Sequence, residues 1–324
     1  MGMLIEGEWQ PDDATAKTEN GRFKRQDSAF RNAVEDIPGA RFAPESGRYH
    51  LYVSYACPWA HRTLIARSLK GLAPHIDISV VDPHMGEGGW FFGDDPEGTD
   101  DPVNGAGFLR DVYVKANPSY TGRVTVPVLW DKKEGTIVSN ESSEILRMFN
   151  SAFNGLAGVD ADLDLYPAGL RAEIDVVNEG VYTDINNGVY RNGFAGTQEA
   201  YEEAYDALFA RLDELETKLG RNRYLVGNRI TEADWRLFVT LVRFDAVYFT
   251  HFKCNRQMIA DFPNLSNYLR ELFQVGNVAE TVNLRHIKQH YFGSHKGINP
   301  KGIVPKGPLL DFHRPHDRGR LLAA

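Results

Sequence analysis

His50-Leu51-Tyr52-Val53-Ser54-Tyr55-Ala56-Cys57-Pro58-Trp59-Ala60-His61-Arg62-Thr63-Leu64-Ile65-Ala66-Arg67 is the stretch that decides the fold. Its first residues, together with Tyr49, are apolar or β-forming and read as a strand. Leu64, Ile65 and Leu69 then recur at helical spacing. Cys57-Pro58 stands at the junction, where proline fits a first helical turn because the N–H it lacks would have no intrahelical partner anyway. The Cys57 sulfur therefore sits beside unpaired N–H groups and the positive end of a helix dipole, a setting that stabilises a thiolate. His61 and Arg62 are candidates to add positive potential. A free cysteine is often simply buried and inert. Strand, Cys-Pro, aromatic and helix in succession favour the reactive reading. Position 60 is alanine, so the motif has no second thiol, and a mixed disulfide with an outside thiol is the natural intermediate.

Working outward, Ile76-Asp77-Ile78-Ser79-Val80-Val81-Asp82 reads as a second strand, followed by a long segment from Pro83 to Pro118 rich in glycine and acids. A loop of that length inside a domain is usually functional or wraps another part. Arg123 to Asp131 reads as a strand interrupted by Pro127, and Lys132 to Gly135 turns it into Thr136-Ile137-Val138. Ser139 to Glu144 then opens a helix carrying Ile145, Leu146, Met148 and Phe149. The order β-α-β-loop-β-β-α is that of a thioredoxin-like sheet. Pro127 holds the position where that fold places a cis-proline beside its active cysteine, although a proline on an edge strand would read the same way.

Residues 1–47 read as a polar, irregular N-terminal arm, residues 48–155 as the thioredoxin-like domain, residues 165–290 as an all-helical domain and residues 291–324 as a tail. Within the helical part, Tyr166 to Val189 and Thr197 to Leu219 read as long helices, the second closed by Gly220. Thr231 and Asp234 resemble a capping box for a helix from Trp235 to about Phe249. Further helices are expected over Leu265 to Phe273 and from about Val278 to His290. Tyr190 falls near a helix end, and Tyr291 opens the glycine-rich tail.

The net charge of −8 argues against broad nucleic-acid binding, and no apolar run reaches transmembrane length. The N-terminus shows no basic region followed by an apolar core. Two cysteines make no disulfide framework and fit a reducing cytoplasm. The sequence offers no metal-ligand cluster, nucleotide fingerprint or phosphate loop.

Taken together, Cys57-Pro58-Trp59-Ala60-His61-Arg62, the run Arg123 to Asp131, Asn186-Asn187-Gly188-Val189-Tyr190, Val242-Arg243-Phe244-Asp245 with Thr250 to Cys254, and His290-Tyr291-Phe292 with Ser294-His295 and Ile298-Asn299-Pro300 resemble the glutathionyl-hydroquinone reductases, the Xi class of the glutathione transferases. The resemblance spans residues 45 to 305. It implies the glutathione transferase fold and a homodimer with no nucleic-acid or membrane partner. It also implies reduction of S-glutathionyl-hydroquinones to hydroquinones with glutathione as co-substrate and no metal.

Carried onto this chain, Cys57 is the nucleophile, and Trp90, Arg123, Val126, Glu141 and Ser142 hold glutathione. Val126 would pair with the cysteinyl backbone, Glu141 with the γ-glutamyl ammonium, and Ser142 with the γ-glutamyl carboxylate. Tyr190 and Tyr291 would meet the ring hydroxyl, with the tail lining the substrate site; Tyr248 is a weaker candidate. Without the resemblance, Trp90 would read as a loop anchor, and any one of fourteen tyrosines as core or surface. A general thioltransferase or dehydroascorbate reductase, and a non-catalytic carrier of apolar ligands, share the same fold and remain open at this point.

Overall fold

Two short hairpins stand where the sequence suggests an irregular arm. Strand β1 (Met3–Ile5) pairs with β2 (Glu8–Gln10), and β3 (Thr18–Glu19) with β4 (Arg22–Phe23). Each turns through two residues of positive φ, Glu6-Gly7 and Asn20-Gly21. Such turns match the twist of the flanking strands, and Asn-Gly is a strong sequence signal for one. The computed structural model describes residues 2–11 and 18–321; the parts of the arm and tail at residues 1, 12–17 and 322–324 lie outside the described residues.

The chain divides into two units: one of Met1–Ala14, Arg25–Leu163 and Thr281–Ser294, the other of Thr15–Lys24, Asp164–Glu280 and His295–Ala324.

In the first unit, β5 (Tyr49–Val53) runs directly into α1 (Pro58–Leu69), and β6 (Asp77–Val80) follows. The segment expected to be one long loop contains α2 (Leu109–Ala116), whose first turn is fixed by the Phe108 N–H donating to Asp111 Oδ2 (3.1 Å). Its buried face, Leu109, Val112 and Tyr113, is a short helical pattern hidden among the glycines. Strands β7 (Val128–Asp131) and β8 (Thr136–Ser139) and helix α3 (Ser142–Ser151) complete the order. The sheet runs β6-β5-β7-β8, with β5 parallel to β6 and antiparallel to β7. This is the thioredoxin-like arrangement, and α1 and α3 pack against each other. All of β5 is buried, as a strand covered on both faces requires. The strand expected from Arg123 starts only at Val128, since Pro127 has no N–H to give the ladder.

The second unit is helical. The helix expected over Tyr166 to Val189 is broken into α4 (Arg171–Gly180), a widened turn Val181–Asn186 and α5 (Gly188–Gly193). The extra residue in that turn lets the Asn186 amide donate to Arg236 O and Thr240 Oγ1, both at 2.7 Å. Helix α6 (Gln198–Leu219) matches the expected span, with Thr197 capping it and Gly220 closing it. Next, α7 (Glu232–Arg243) passes through a second widened turn, Phe244–Tyr248, into the short α8 (Phe249–His251), and α9 (Pro263–Phe273) follows. In the tail, the buried Arg318 guanidinium donates to the carbonyls of Leu219, Asn222 and Arg223 at the end of α6.

The last helix, α10 (Leu284–Ser294), belongs to the first unit and not, as expected, to the helical domain. Charge explains this. Arg285 pairs with Asp95 (2.6 Å) and Glu97, His286 Nε2 lies 2.9 Å from Asp95, and Asn283 donates to Glu97 (3.0 Å). Tyr291 therefore lies inside a helix instead of opening the tail.

Asp234 is the buried polar centre of the second unit. Its carboxyl oxygens accept from Leu225 N (2.9 Å), Thr231 N (2.8 Å) and Tyr268 OH (2.7 Å). Burial pushes the carboxyl up, and these donors oppose that shift. Asp234→Ala orphans all three donors in a dry interior, so the helical unit should lose about 3 kcal/mol or more. Urea unfolding monitored by circular dichroism checks this; a loss below about 1 kcal/mol contradicts the assignment.

Candidate active site

Cys57 is the N-cap of α1, with extended backbone (φ −78°, ψ 122°) and Pro58 next. It is partly buried. Its N–H donates to Ser54 O (3.1 Å), and its carbonyl accepts from His61 N (3.0 Å). These bonds fix the sulfur at the positive end of α1, where a thiolate is stabilised. The thiol donates to Val126 O at 3.5 Å. The Val126–Pro127 peptide is cis. Cys57 and the backbone expected to hold a glutathione cysteinyl group are thus adjacent.

Two side chains that the sequence reading passed over hold this backbone. Tyr113 OH donates to Thr125 O (2.8 Å), and Asn140 Nδ2 donates to the same hydroxyl (3.1 Å). Asn140 Oδ1 accepts from Phe30 N (3.1 Å). Tyr113 and Asn140 are both buried. One network therefore joins α2, the Val126 segment and the residue before Glu141.

Glu141 caps α3. Its Oε1 accepts from Ser143 N (3.0 Å) and Ser143 Oγ (2.8 Å), and its Oε2 from Ser28 Oγ (3.0 Å). Burial acts to raise its carboxyl, but the Ser143 and Ser28 donors and the Arg62 charge hold it below the usual range. It is held as an anion at the start of α3. Ser142 is buried at the same helix start, and Arg62 Nη1 donates to its Oγ at 3.5 Å. The Arg62 and Arg25 guanidiniums each lie 4.6 Å from the Trp59 ring centroid. Arg62 thus contributes its charge at α3. His61, by contrast, is fully buried against Thr281 Oγ1 (2.8 Å), a structural contact.

Arg123 is half-buried in the same unit, with its N–H donating to Gln26 Oε1 (3.1 Å) and its carbonyl accepting from Tyr120 OH (3.0 Å). The Trp90 ring is buried and stacks on His290 (centroids 4.7 Å apart, planes at 23°). His290 Nδ1 donates to Pro83 O (3.0 Å), and the next residue is Tyr291, also buried. Ligand atoms of Asp95, Glu97 and His286 are grouped as a metal site would need. Arg285 already pairs with both carboxylates, which makes the group an ion-pair clasp for α10.

Tyr190 lies in the helical unit, on α5, half-buried among Phe194, Phe252 and Tyr248. Tyr248 is fully buried and stacks on Phe252 (5.5 Å, 17°), which makes it core. Cys254 is also fully buried in that unit, and burial pushes its thiol well up. No helix among the described residues is long and apolar enough to cross a membrane.

Residues 56–152 match the family model "Glutathione S-transferase, N-terminal domain", and residues 198–271 the model "Glutathione S-transferase, C-terminal domain". The chain is 54% identical to the glutathionyl-hydroquinone reductase YqjG of Escherichia coli, over 98% of each chain. It is 54% identical to the glutathionyl-hydroquinone reductase PcpF of Sphingobium chlorophenolicum, over 95% of this chain and 96% of that one. Among solved structures, the Xi-class glutathione transferase of Natrialba magadii superposes with a TM-score of 0.94 at 52% identity, covering 99% of this chain and 98% of that one. The glutathione-bound structure of Escherichia coli YqjG superposes with a TM-score of 0.90 at 52% identity, covering 98% and 99%. Matched at this identity over nearly its whole length, the chain belongs to the glutathionyl-hydroquinone reductases, the Xi class of the glutathione transferases.

Proposed function

We propose that this enzyme reduces S-glutathionyl-hydroquinones to hydroquinones, consuming one glutathione and releasing glutathione disulfide. The observation that carries this reading is the placement of Cys57: a cysteine at a helix start, 3.5 Å from the Val126 carbonyl, with alanine at position 60 where a resolving thiol would stand. Glu141 takes the γ-glutamyl ammonium, Ser142 and the α3 N–H groups take its carboxylate, and Val126 pairs with the cysteinyl backbone. Arg123 and Trp90 hold the rest of the peptide.

In the first step the Cys57 thiolate attacks the glutathione sulfur of the conjugate. A sulfur–sulfur bond forms and the sulfur–carbon bond breaks. Carbon is a poorer leaving atom than a thiolate sulfur. The ring therefore reacts as its keto tautomer, with the proton already on the carbon that bore sulfur. The electron pair then enters the ring and ends on the oxygen of a hydroquinone anion. Tyr190 and Tyr291 donate to that oxygen and return its proton. In the second step a glutathione thiolate attacks the Cys57-bound glutathione sulfur, releasing glutathione disulfide and regenerating Cys57. Intact-protein mass spectrometry after one turnover without free glutathione tests the intermediate. One glutathionyl group on Cys57 is expected; none contradicts the mechanism.

The enzyme is further assigned to the cytoplasm, whose reducing conditions suit its two unbridged cysteines. It is assigned as a homodimer on the resemblance, and the exposed Val176 and Tyr182 of the helical unit supply apolar surface for one. Light scattering at micromolar concentration should return twice the chain mass, and a monomer mass contradicts this.

A further inference from the structure

The hairpin of β3 and β4 is fastened to α5 and α6 by several contacts. Gly196 N donates to Gly21 O (2.8 Å). Arg22 donates through Nε and Nη2 to Glu203 (3.0 and 2.7 Å), and Arg191 of α5 shares that carboxylate (3.2 Å). Gly21 has a φ of +77°, and a Cβ there would lie 2.6 Å from Thr197 Cγ2 and 2.7 Å from Thr197 Oγ1, so the close approach needs glycine.

This docking lays Phe23 against Tyr190 (centroids 6.3 Å apart, planes at 25°) and Phe194 (5.5 Å, 29°). Tyr190 also meets Phe194 (6.2 Å, 22°), Phe252 (5.4 Å, 59°) and Tyr248 (6.2 Å, 57°). Tyr248 and Phe252 are fully buried and fixed by the core, whereas Phe23 and Tyr190 are half-buried. The ring of Tyr190 thus has a rigid floor from the helices and a flank from the N-terminal hairpin.

We propose that Phe23 is a positioning residue for Tyr190, and that the N-terminal hairpin is thereby a working part of aromatic-substrate cleavage. The inference rests on the reading of Tyr190 as a donor to the ring hydroxyl. A phenol that must meet one oxygen at hydrogen-bond distance loses efficiency steeply when its ring tilts. Phe23 lies against the ring on the hairpin side. A flat side chain stacked there limits the tilt, and aromatic pairs favour such offset arrangements. A thiolate leaving group needs no such donor, so the effect of Phe23 is confined to carbon–sulfur substrates.

The test uses the full-length chain in single-turnover experiments with two substrates, an S-glutathionyl-hydroquinone and glutathione disulfide. Phe23→Ala should slow the thioether about 10-fold while the disulfide stays within about 2-fold of wild type. Phe23→Tyr, which keeps the ring, should restore the thioether rate. Gly21→Val, which unseats the hairpin without touching Phe23, should reproduce Phe23→Ala. A thioether rate unchanged in Phe23→Ala, or an equal loss on both substrates, overturns the proposal. Tyr190→Phe, run alongside, separates the two ideas. If it is slow on the thioether while Phe23→Ala is not, only the role of Phe23 fails. If Tyr190→Phe is itself unimpaired, the reading of Tyr190 fails and the inference falls with it.

Discussion

Cys57→Ala should reduce turnover of S-glutathionyl-hydroquinone to the uncatalysed rate while glutathione still binds. Alanine keeps the backbone that caps α1 and lies beside Pro58, and it removes only the atom that forms the mixed disulfide. The groups assigned to glutathione are elsewhere. Glu141 is held as an anion by Ser143 and Ser28, and Ser142 sits at the start of α3. Calorimetry should therefore show glutathione affinity within a few-fold of wild type, because the binding contacts and the chemical step are carried by different atoms. Cys254→Ala is the control. That thiol is fully buried, and burial pushes it well up, so it is protonated and inert at neutral pH. Substantial turnover by Cys57→Ala, or loss of turnover in Cys254→Ala, would overturn the assignment of the nucleophile.

Removing the hydroxyl of Tyr190 or Tyr291 should have the next largest effect, and only on one class of substrate. Tyr→Phe retains the ring and its packing, so it isolates hydrogen bonding. Charge moves onto the ring oxygen as the carbon–sulfur bond breaks, and one lost donor to that oxygen is worth about 10- to 1000-fold in the step that expels hydroquinone. Formation of the same mixed disulfide from glutathione disulfide expels a thiolate and should be barely affected. The double variant should lose less than the product of the two single losses if both phenols serve the same oxygen. Equal slowing of both substrates by either single variant would make that tyrosine structural.

Much of this was legible in the sequence because local chemistry decides it. The β5-to-α1 junction, the order of the thioredoxin-like sheet, the Thr231–Asp234 cap and the span of α6 all follow from patterns a few residues long. What was not legible depends on partners distant in sequence. The apolar face of α2 is short and lies among glycines, so its periodicity is faint. The breaks at Val181–Asn186 and Phe244–Tyr248 keep a helical pattern while opening the turn. In the first, the Asn186 amide reaches α7; in the second, the Asp245 carboxylate accepts from Ile259 N and Ala260 N. α10 groups with the first unit through Asp95 and Glu97, which clasp it from nearly two hundred residues earlier. The hairpin over α5 carries one local signal, Asn20-Gly21, set in a polar segment.

At the site the same division holds. The first residues of the Cys57 and Glu141 helices could be named from capping chemistry, whereas Tyr113 and Asn140 emerged only from the fold. These two belong to the same network as the arm residue Phe30 and brace Val126 and Glu141 together. Misplacing either would disturb the Val126 segment and the start of α3 together.

The most direct test is a product balance. The purified enzyme is incubated with an S-glutathionyl-hydroquinone and excess glutathione, and hydroquinone and glutathione disulfide are quantified over time. The account predicts that both appear together in equal amounts at every time point, at a rate that vanishes in Cys57→Ala. Disulfide exchange without hydroquinone release, or hydroquinone released without matching glutathione disulfide, would contradict it.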